Sequence, residues 1–593
     1  MRLPSVSYLL NSFLGTVIRF PIPVLISIFV TVSSIFLLEN EKSIDQYSWL
    51  FKLVLASGVF FPLFVAFAAT REANHASKAK LAVANVLGLG LMAAYWHYMA
   101  PSPESYNFTK IARFFLFGVI THLISTFLPY IIHRDLDDFW EYNRKLFINF
   151  FIGGLYGFLL FVGIALGISA IQVLFDFDFD GIIFPEIWFV CIFFIHPIYF
   201  LSNFPKKYKF DLTQSRFDRP FVNLLKYVFI SMVALYMVIL YAYGAKILFT
   251  WELPEGWVAR LVIGFSVVGV LTYLLNYMLP KIEKSGWVKN YHKWFFYILL
   301  PVTGLLFVAI WRRVSDYGFT EERYFVVLLG IWLAGICLYF ILSKKDDIRY
   351  IPISLAIFGL VAAVGGPLSA FSIGKKSQKA RLDKNLISAG ILKNGAFQKP
   401  GEPYDGKQVT EITSIVNYLA EHGHHAVFSD WFDIDSIHNE YKKGKRTKNL
   451  ILNELGIVSK FMDHDRQNQY FFIAKEADKL DISAYQYFSN FSLNNRKEDG
   501  FYVKKEDSTI HFYENEDILE TIDIQPLMSI LKTDRGDNTN DLGVKQMSHF
   551  HNGDRFQILI SFKNLGFEIE GEAYELTDGI GTIFWAEKKN IVN

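Results

Sequence analysis

Stretches of eighteen or more residues almost free of charge recur through the first 374 positions, each about as long as the roughly 20 residues that span a ~30 Å hydrocarbon layer. Eleven qualify, at 20–38, 49–70, 81–99, 111–131, 147–174, 183–203, 223–249, 258–279, 294–311, 324–343 and 350–373. Backbone groups in hydrocarbon have no water to bond, so each stretch must satisfy its own, and without an alternating barrel pattern the expected form is helical. Composition agrees: 52% of residues are apolar and 19% charged, against about 25% charged in a soluble chain, which excludes an ordinary soluble enzyme. The fifth and seventh stretches are long enough to require tilt or protrusion. Pro197 lies mid-stretch and predicts a kink, because proline removes a helical donor. The first stretch lacks a small-x-small cleavage site and is followed by Glu39 and Glu41, so it reads as a retained anchor. Cys191 and Cys337, the two cysteines, both sit in apolar stretches, which excludes a disulfide framework.

Lys and Arg number 30 against 23 Asp and Glu before position 375, and 28 against 34 from there on. The near-neutral total therefore says nothing about partners. Short loops carry the orientation signal. Arg2 and Arg19 precede the first stretch, and Arg71, Lys78 and Lys80 follow the second. Arg134, Arg144 and Lys145 follow the fourth, Lys206, Lys207, Lys209, Arg216, Arg219 and Lys226 the sixth, and Lys281, Lys284, Lys289 and Lys293 the eighth. The alternate loops are poor in positive charge, most clearly at Asp176, Asp178 and Asp180. The amino terminus is thus expected in the cytoplasm. Strict alternation through eleven stretches puts the tail outside, whereas Lys375, Lys376, Lys379 and Arg381 at its start favour the inside. Treating 294–311 or 350–373 as re-entrant reconciles the two, and the working expectation is ten crossings with a cytoplasmic tail.

The fold expected is a membrane all-α helical bundle with a carboxy-terminal soluble α+β domain. A polytopic transmembrane region over 1–374 is followed by an amphipathic helix and linker over 375–408 and a soluble domain over 409–593. Leu382, Leu386, Ile387 and Ile391 recur at helical spacing over 377–389, ended by Gly390. Ile412, Ile415, Val416 and Leu419 do the same over 409–421, with Gly423 as the stop. The linker 394–406 is rich in glycine and proline, and the basic run Lys442 to Lys448 reads as a solvated loop. Strands are expected at Tyr470–Ile473, Phe501–Lys504, Thr509–Tyr513, Phe556–Phe562, Phe567–Gly571 and Ile580–Trp585, with a short helix at 524–532.

Polar groups at membrane depth carry the functional signal, because burying one without a partner costs several kcal/mol. His122 and His196 are the leading candidates, with Asn85, His97, Glu186 and Asn276 as partners. They suit a water-filled path or a small polar ligand, although histidines between packed helices more often just bond a neighbour. Arg71, Glu72 and His75 cluster at the inner end of the second stretch. If the helix continues, Arg71 and His75 share a face, suited to an anion or headgroup or to simple interfacial anchoring. In Tyr317 to Arg323, Gly318 allows a turn, Thr320 caps the next helix, and Glu321 and Glu322 suit its first turn. Glu421, His422, His424, His425 and Asp430 form the densest group of metal-ligand residue types, but their spacing matches no zinc signature and reads as a surface loop. No phosphate-cradling loop, nucleophile elbow or dinucleotide fingerprint is present, so no cofactor, metal or nucleic acid is called for. Gly153 with Gly157, and Gly163 with Gly167, are spaced for close helix approach, first of all inside one bundle.

Gly366-Pro367-Leu368-Ser369-Ala370-Phe371-Ser372, then Ser377-Gln378 and Arg381-Leu382, together with Tyr317 to Arg323 and the helix 409–421 leading into Gly423 and Trp431-Phe432, resemble the bacterial membrane-protein family catalogued as domain of unknown function 4153. The resemblance runs from the multi-span region through at least residue 432. It implies an integral-membrane architecture and assigns no reaction or site residue. The sheet-like tail departs from simpler members. Localisation is expected in the bacterial cell (inner) membrane, as a multi-pass protein.

Three classes of function remain. Transport of a small solute comes first, using His122 and His196, and predicts a polar path to both sides. A membrane-anchored scaffold or sensor acting on a protein partner through the carboxy-terminal domain comes next. An envelope lipid- or glycan-modifying enzyme, which needs convergent acid, base or metal groups near one interface, comes third. Membrane lipid is the expected partner in every case.

Overall fold

The computed structural model describes residues 6–99, 106–132, 135–210, 219–250, 257–282, 286–343, 345–393, 396–397, 406–429, 431, 451–452, 455, 469–474, 480–493, 501–514, 517–535, 540–553, 555–570 and 573–588. The basic run at Lys442, Asp430, Phe432 and most of the linker 394–406 lie outside the described residues. Contacts divide the chain into two units. One comprises Met1–Asn385 with Ile415–Ile434, the other Leu386–Ser414 with Asp435–Asn593.

The first unit is helical. Its elements are α1 (Val6–Arg19), α2 (Pro21–Glu39), α3 (Ser48–Ala73), α4 (Lys78–Tyr98), α5 (Phe108–Phe127), α6 (Leu136–Phe175), α7 (Ile183–Val190), α8 (His196–Ser202), α9 (Arg219–Asn223), α10 (Ile230–Thr250), α11 (Trp257–Leu275), α12 (Leu279–Ile282), α13 (Gly286–Tyr317), α14 (Glu321–Leu342), α15 (Tyr350–Val364) and α16 (Ala370–Ser388). Among the described residues, ten helical segments are long and apolar enough to cross a membrane, one for each of the first ten stretches. Their outward surfaces carry large apolar side chains, such as Val86 at 67%, Leu166 at 66% and Val173 at 80% exposure, which water would penalise and acyl chains accept. At 40 residues α6 is ~60 Å long, twice the hydrocarbon thickness, because it extends the apolar stretch 147–174 back through the charge-bearing segment 136–146.

The eleventh stretch is not one helix. α15 has 15 residues, ~22 Å, and stops at Gly365. Gly366 takes a left-handed φ of +56°, a short turn follows, and the Ser369 hydroxyl accepts from the Ser372 amide to start α16. The amphipathic helix expected at 377–389 is thus the distal part of α16, closed by Gly390 at φ +72°.

At Pro197 the regular helix is interrupted by a change of winding. Lacking an N–H, the proline cannot donate to the Phe193 carbonyl four residues back, and the helix widens into a π-turn at Cys191–Ile195 between α7 and α8. The freed Phe193 carbonyl instead accepts from the Ser27 hydroxyl on α2. Ser27→Ala is expected to cost about 1 kcal/mol of thermal stability in detergent, the typical worth of one buried hydrogen bond, and Ser33→Ala on the same helix should cost less. Equal effects of the two would contradict this assignment.

The second unit is α+β. Short strands β1 (Leu392–Lys393) and β2 (Ala396–Phe397) form a hairpin, and α17 (Gly406–Glu421) follows, its segment from Ile415 belonging to the first unit. Then come β3 (Gln469–Ala474), β4 (Tyr487–Ser492), β5 (Phe501–Glu506), β6 (Thr509–Glu514), β7 (Asp517–Asp523), α18 (Gln525–Arg535), β8 (Asn540–Leu542), β9 (Ser548–Asn552), β10 (Phe556–Glu570) and β11 (Ala573–Glu587). One sheet runs β4-β11-β10-β3-β8 with β9 also on β10, and a second runs β5-β6-β7. The two strands expected at 556–562 and 567–571 are one, because the intervening residues form bulges at Phe562/Asn564 and Gly566/Phe567 instead of a turn. Phe472, Phe512, Phe562 and Phe567 fill the core, with Leu527, Met528 and Leu531 of α18 against them.

Candidate functional site

At the end of the first unit that carries the basic loops, Glu72 is engaged, but not with the residues beside it in sequence. Arg19 donates to both carboxylate oxygens, Nε to Oε1 at 2.8 Å and Nη2 to Oε2 at 2.6 Å, and the Tyr208 hydroxyl adds a bond of 2.9 Å to Oε2. The same guanidinium bonds the Phe204 carbonyl at 2.9 Å and that of Pro205. Burial, then the Glu72 charge, pushes the Tyr208 phenol up, so it serves as a neutral donor. α1, α3 and the segment after α8 are thereby tied together. α3 ends at Ala73 and His75 sits at φ +48°, so Arg71 and His75 do not share a helical face as a continued helix would require. His75 is exposed, and Arg71 makes no side-chain ion pair among the described residues.

His122 and His196, 74 positions apart, are brought to one cavity. It measures about 190 Å³ and is lined by Phe61, Pro62, Ser125, Phe150 and Phe200 besides the two imidazoles. Close approach of α6 makes it: a Cβ on Gly153 would lie 2.9 Å from His196 Cδ2, and one on Gly157 3.1 Å from the Cys191 carbonyl. The first glycine pair therefore works inside the bundle, while Gly163 and Gly167 meet nothing within 4 Å. His122 Nδ1 bonds the Gly118 carbonyl at 2.8 Å. His196 Nε2 is buried with no partner.

A larger cavity of about 800 Å³ shares His122, Ser125, Leu146, Phe150 and Phe200 with the first. Its walls come from α3, α5, α6, α8, α11, α14 and α15, and most of them are apolar, including Phe115, Val267, Leu271, Leu329 and Leu355. Polar side chains gather toward the basic-loop ends of α5 and α6, at Thr126, Asn143 and Arg144. Arg144 forks onto Glu141 with two bonds of 2.8 Å. Asn85, His97, Glu186 and Asn276 line neither cavity.

A second convergence lies at the opposite ends of the helices. Glu321 is the first residue of α14, where Thr320 Oγ1 caps the Arg323 amide at 3.5 Å, yet its side chain turns inward and is wholly buried. The Tyr418 hydroxyl donates to its Oε2. His424 Nε2 lies 3.4 Å from Oε1 and His422 Nε2 3.6 Å from Oε2, so the imidazoles flank the carboxylate from its two oxygens. Burial, then the Glu321 charge, pushes the Tyr418 phenol up and keeps it a donor. A Cβ on Gly374 of α16 would stand 2.7 Å from the Tyr418 hydroxyl and 3.3 Å from Glu321 Cδ. Thr109 Oγ1 donates to the His422 carbonyl at 2.9 Å. Through Tyr418, His422 and His424 the buried carboxylate ties the start of α14 to the end of α17 and the turn after it, and neither of the two cavities above is lined by these residues. Sequence reasoning read Glu321 as a helix-dipole residue and His422 and His424 as loop. The one available signal was Tyr418 and His422 on a shared face at helical spacing.

The profile of a family described as Domain of unknown function (DUF4153) matches residues 22–391. An uncharacterized protein of Pasteurella multocida (strain Pm70) is 25% identical over 226 residues, 38% of this chain and 38% of that protein, so the match spans well under half of either length. No solved structure matches.

Proposed function

This chain belongs to the family described as domain of unknown function (DUF4153), a multi-pass integral membrane protein, and from that premise we propose that it takes a single lipid-class amphiphile into its lateral cavity as a step in transport. The carrying observation is the cavity of about 800 Å³ with apolar walls along most of its length and Thr126, Asn143 and Arg144 at one end. That volume suits a drug- to lipid-sized ligand, and the split between apolar body and polar end is the pattern an amphiphile needs. A polar solute would need polar side chains along a path to both faces, and the walls toward Phe115 and Leu329 supply none. The solute of the transport reading is therefore an amphiphile. Leu271→Trp, which fills the cavity from a side chain only partly packed, is expected to lower retention of a photoactivatable phospholipid in nanodiscs at least fivefold, read by mass spectrometry. Undiminished labelling would remove the proposal.

The same reading places the protein in a bacterial inner membrane with the amino-terminal end cytoplasmic, on the positive-inside rule. It departs from ten crossings and a cytoplasmic tail. Arg349, just before α15, bonds the Tyr130 carbonyl at 3.1 Å at the basic-loop end, whereas the Leu368 carbonyl just after α15 accepts from Tyr324 at 2.6 Å near the start of α14. These contacts support α15 as an eleventh pass, with Tyr418 to Ser429 outside the cytoplasm. Ser429→Cys is expected to react with an impermeant maleimide in osmotically opened cells, and Ser77→Cys only after the inner membrane is disrupted. The reverse pattern would restore the cytoplasmic tail.

A further inference from the structure

The small cavity beside the large one offers hydrogen-bond acceptors in a particular way. A backbone carbonyl only accepts, so His122 Nδ1, 2.8 Å from the Gly118 carbonyl, must carry its ring proton. The neutral ring then presents Nε2 as a bare lone pair. His196 adds a second ring nitrogen to the same lining: its Nε2 is buried and has no hydrogen-bond partner. Ser125 spends its hydroxyl proton on the His122 carbonyl at 2.7 Å, which leaves its oxygen as an acceptor too. His122 and Ser125 therefore present lone pairs in the lining of about 190 Å³, His196 adds an unsatisfied ring nitrogen, and all three lie in the half of their helices nearer the basic loops. Among the described residues no Asp or Glu lines this cavity. A cation would enter without a balancing charge, and an anion would face lone pairs; both are costly at low dielectric. An uncharged group that donates hydrogen bonds satisfies the acceptors without that cost.

We infer that the cavity formed by His122, Ser125 and His196 is a recognition site for the hydroxyl group of an uncharged, hydroxyl-bearing lipid, whose chain lies in the adjoining large cavity. This rests on the amphiphile reading above and deepens it by naming the headgroup. Gly153 is required for the pocket's shape, since any side chain there meets the His196 ring. The Gly118 carbonyl fixes the His122 tautomer without a charged partner, and the unsatisfied His196 Nε2 is the second ring nitrogen a hydroxyl can meet.

The probe is tritiated hexadecanol bound to the full chain in nanodiscs, competed by unlabelled hexadecanol, its methyl ether, hexadecylammonium and hexadecyl sulfate. Hexadecanol is expected to compete about tenfold better than the ether, the loss of one well-made buried hydrogen bond, and better than either ion. His122→Leu, at a position facing the cavities rather than the packed core, should erase the preference for alcohol over ether while leaving the ether's affinity unchanged. His196→Phe should do the same if it folds. Alcohol and ether competing equally would overturn this inference and leave the amphiphile reading standing. A preference for the ammonium or sulfate would overturn the uncharged headgroup. Failure of every probe to bind would instead count against the amphiphile reading itself.

Discussion

Glu321→Ala is expected to release the segment from Tyr418 to Phe428 from the helices it packs on. Losing one member of a buried, hydrogen-bonded charge cluster typically costs about 3–5 kcal/mol, because the remaining partners stay desolvated without compensation. Here the Tyr418 hydroxyl and both imidazoles lose their acceptor at a wholly buried site. The expected readouts are a clear drop in detergent melting temperature and new protease cleavage between residues 415 and 434, with Glu322→Ala, the exposed neighbour, close to wild type. Glu321→Gln keeps the shape and one acceptor, so it should fall between the two. Gly374→Val offers an independent route to the same phenotype, since its side chain would displace the Tyr418 hydroxyl. A Glu321→Ala protein as stable and protease-resistant as wild type would sink the latch.

The second large effect is expected at the opposite ends of the helices. Arg19→Ala removes two bonds to Glu72 and two to the carbonyls of Phe204 and Pro205. The Arg19 and Glu72 side chains are 16% and 25% exposed, so water relieves part of the loss and about 2–3 kcal/mol is expected, below the fully buried range. Tyr208→Phe, which deletes only the third bond to Glu72, should cost about 1 kcal/mol. The double mutant Arg19→Ala with Glu72→Ala should be less destabilised than the sum of its parts, because it leaves no unpaired carboxylate. Strict additivity in that cycle would contradict a coupled clamp.

Much of this fold is readable from periodicity. Runs such as 20–38 and 324–343 are so poor in charge that their helical form in lipid follows from backbone bonding alone, and the break at Pro197 follows from a missing donor. The eleventh run shows where that reasoning stops. Apolar length says that 350–373 belongs in the membrane, but the stop at Gly365 and the restart at Ser369 depend on glycine geometry and a hydroxyl cap, which hydropathy does not register. Burial at membrane depth pointed to His122 and His196, and the cavity they share depends on the approach of Gly153 on a third helix. Arg71, Glu72 and His75 looked like a cluster because they adjoin in sequence; the chain turns at Asn74 and disperses them. Glu321 was misread for the opposite reason. A glutamate in a first helical turn has a sufficient local explanation, and its actual partner, Tyr418, is 97 positions away.

On the eleven-pass reading, the unequal reach of α15 and α6 bears on the bilayer around the protein. A 15-residue α15 stands in the same bundle as a 40-residue α6. On that reading, acyl chains beside Ile357 and Leu360 meet a shorter helix than those along Leu166 and Val173, all outward-facing, and local thinning of the leaflets at α15 is the expected response. Such a dimple shortens the distance a headgroup travels through hydrocarbon at one flank of the molecule. Activity in vesicles should consequently rise and fall with lipid chain length, even where the headgroup is held constant.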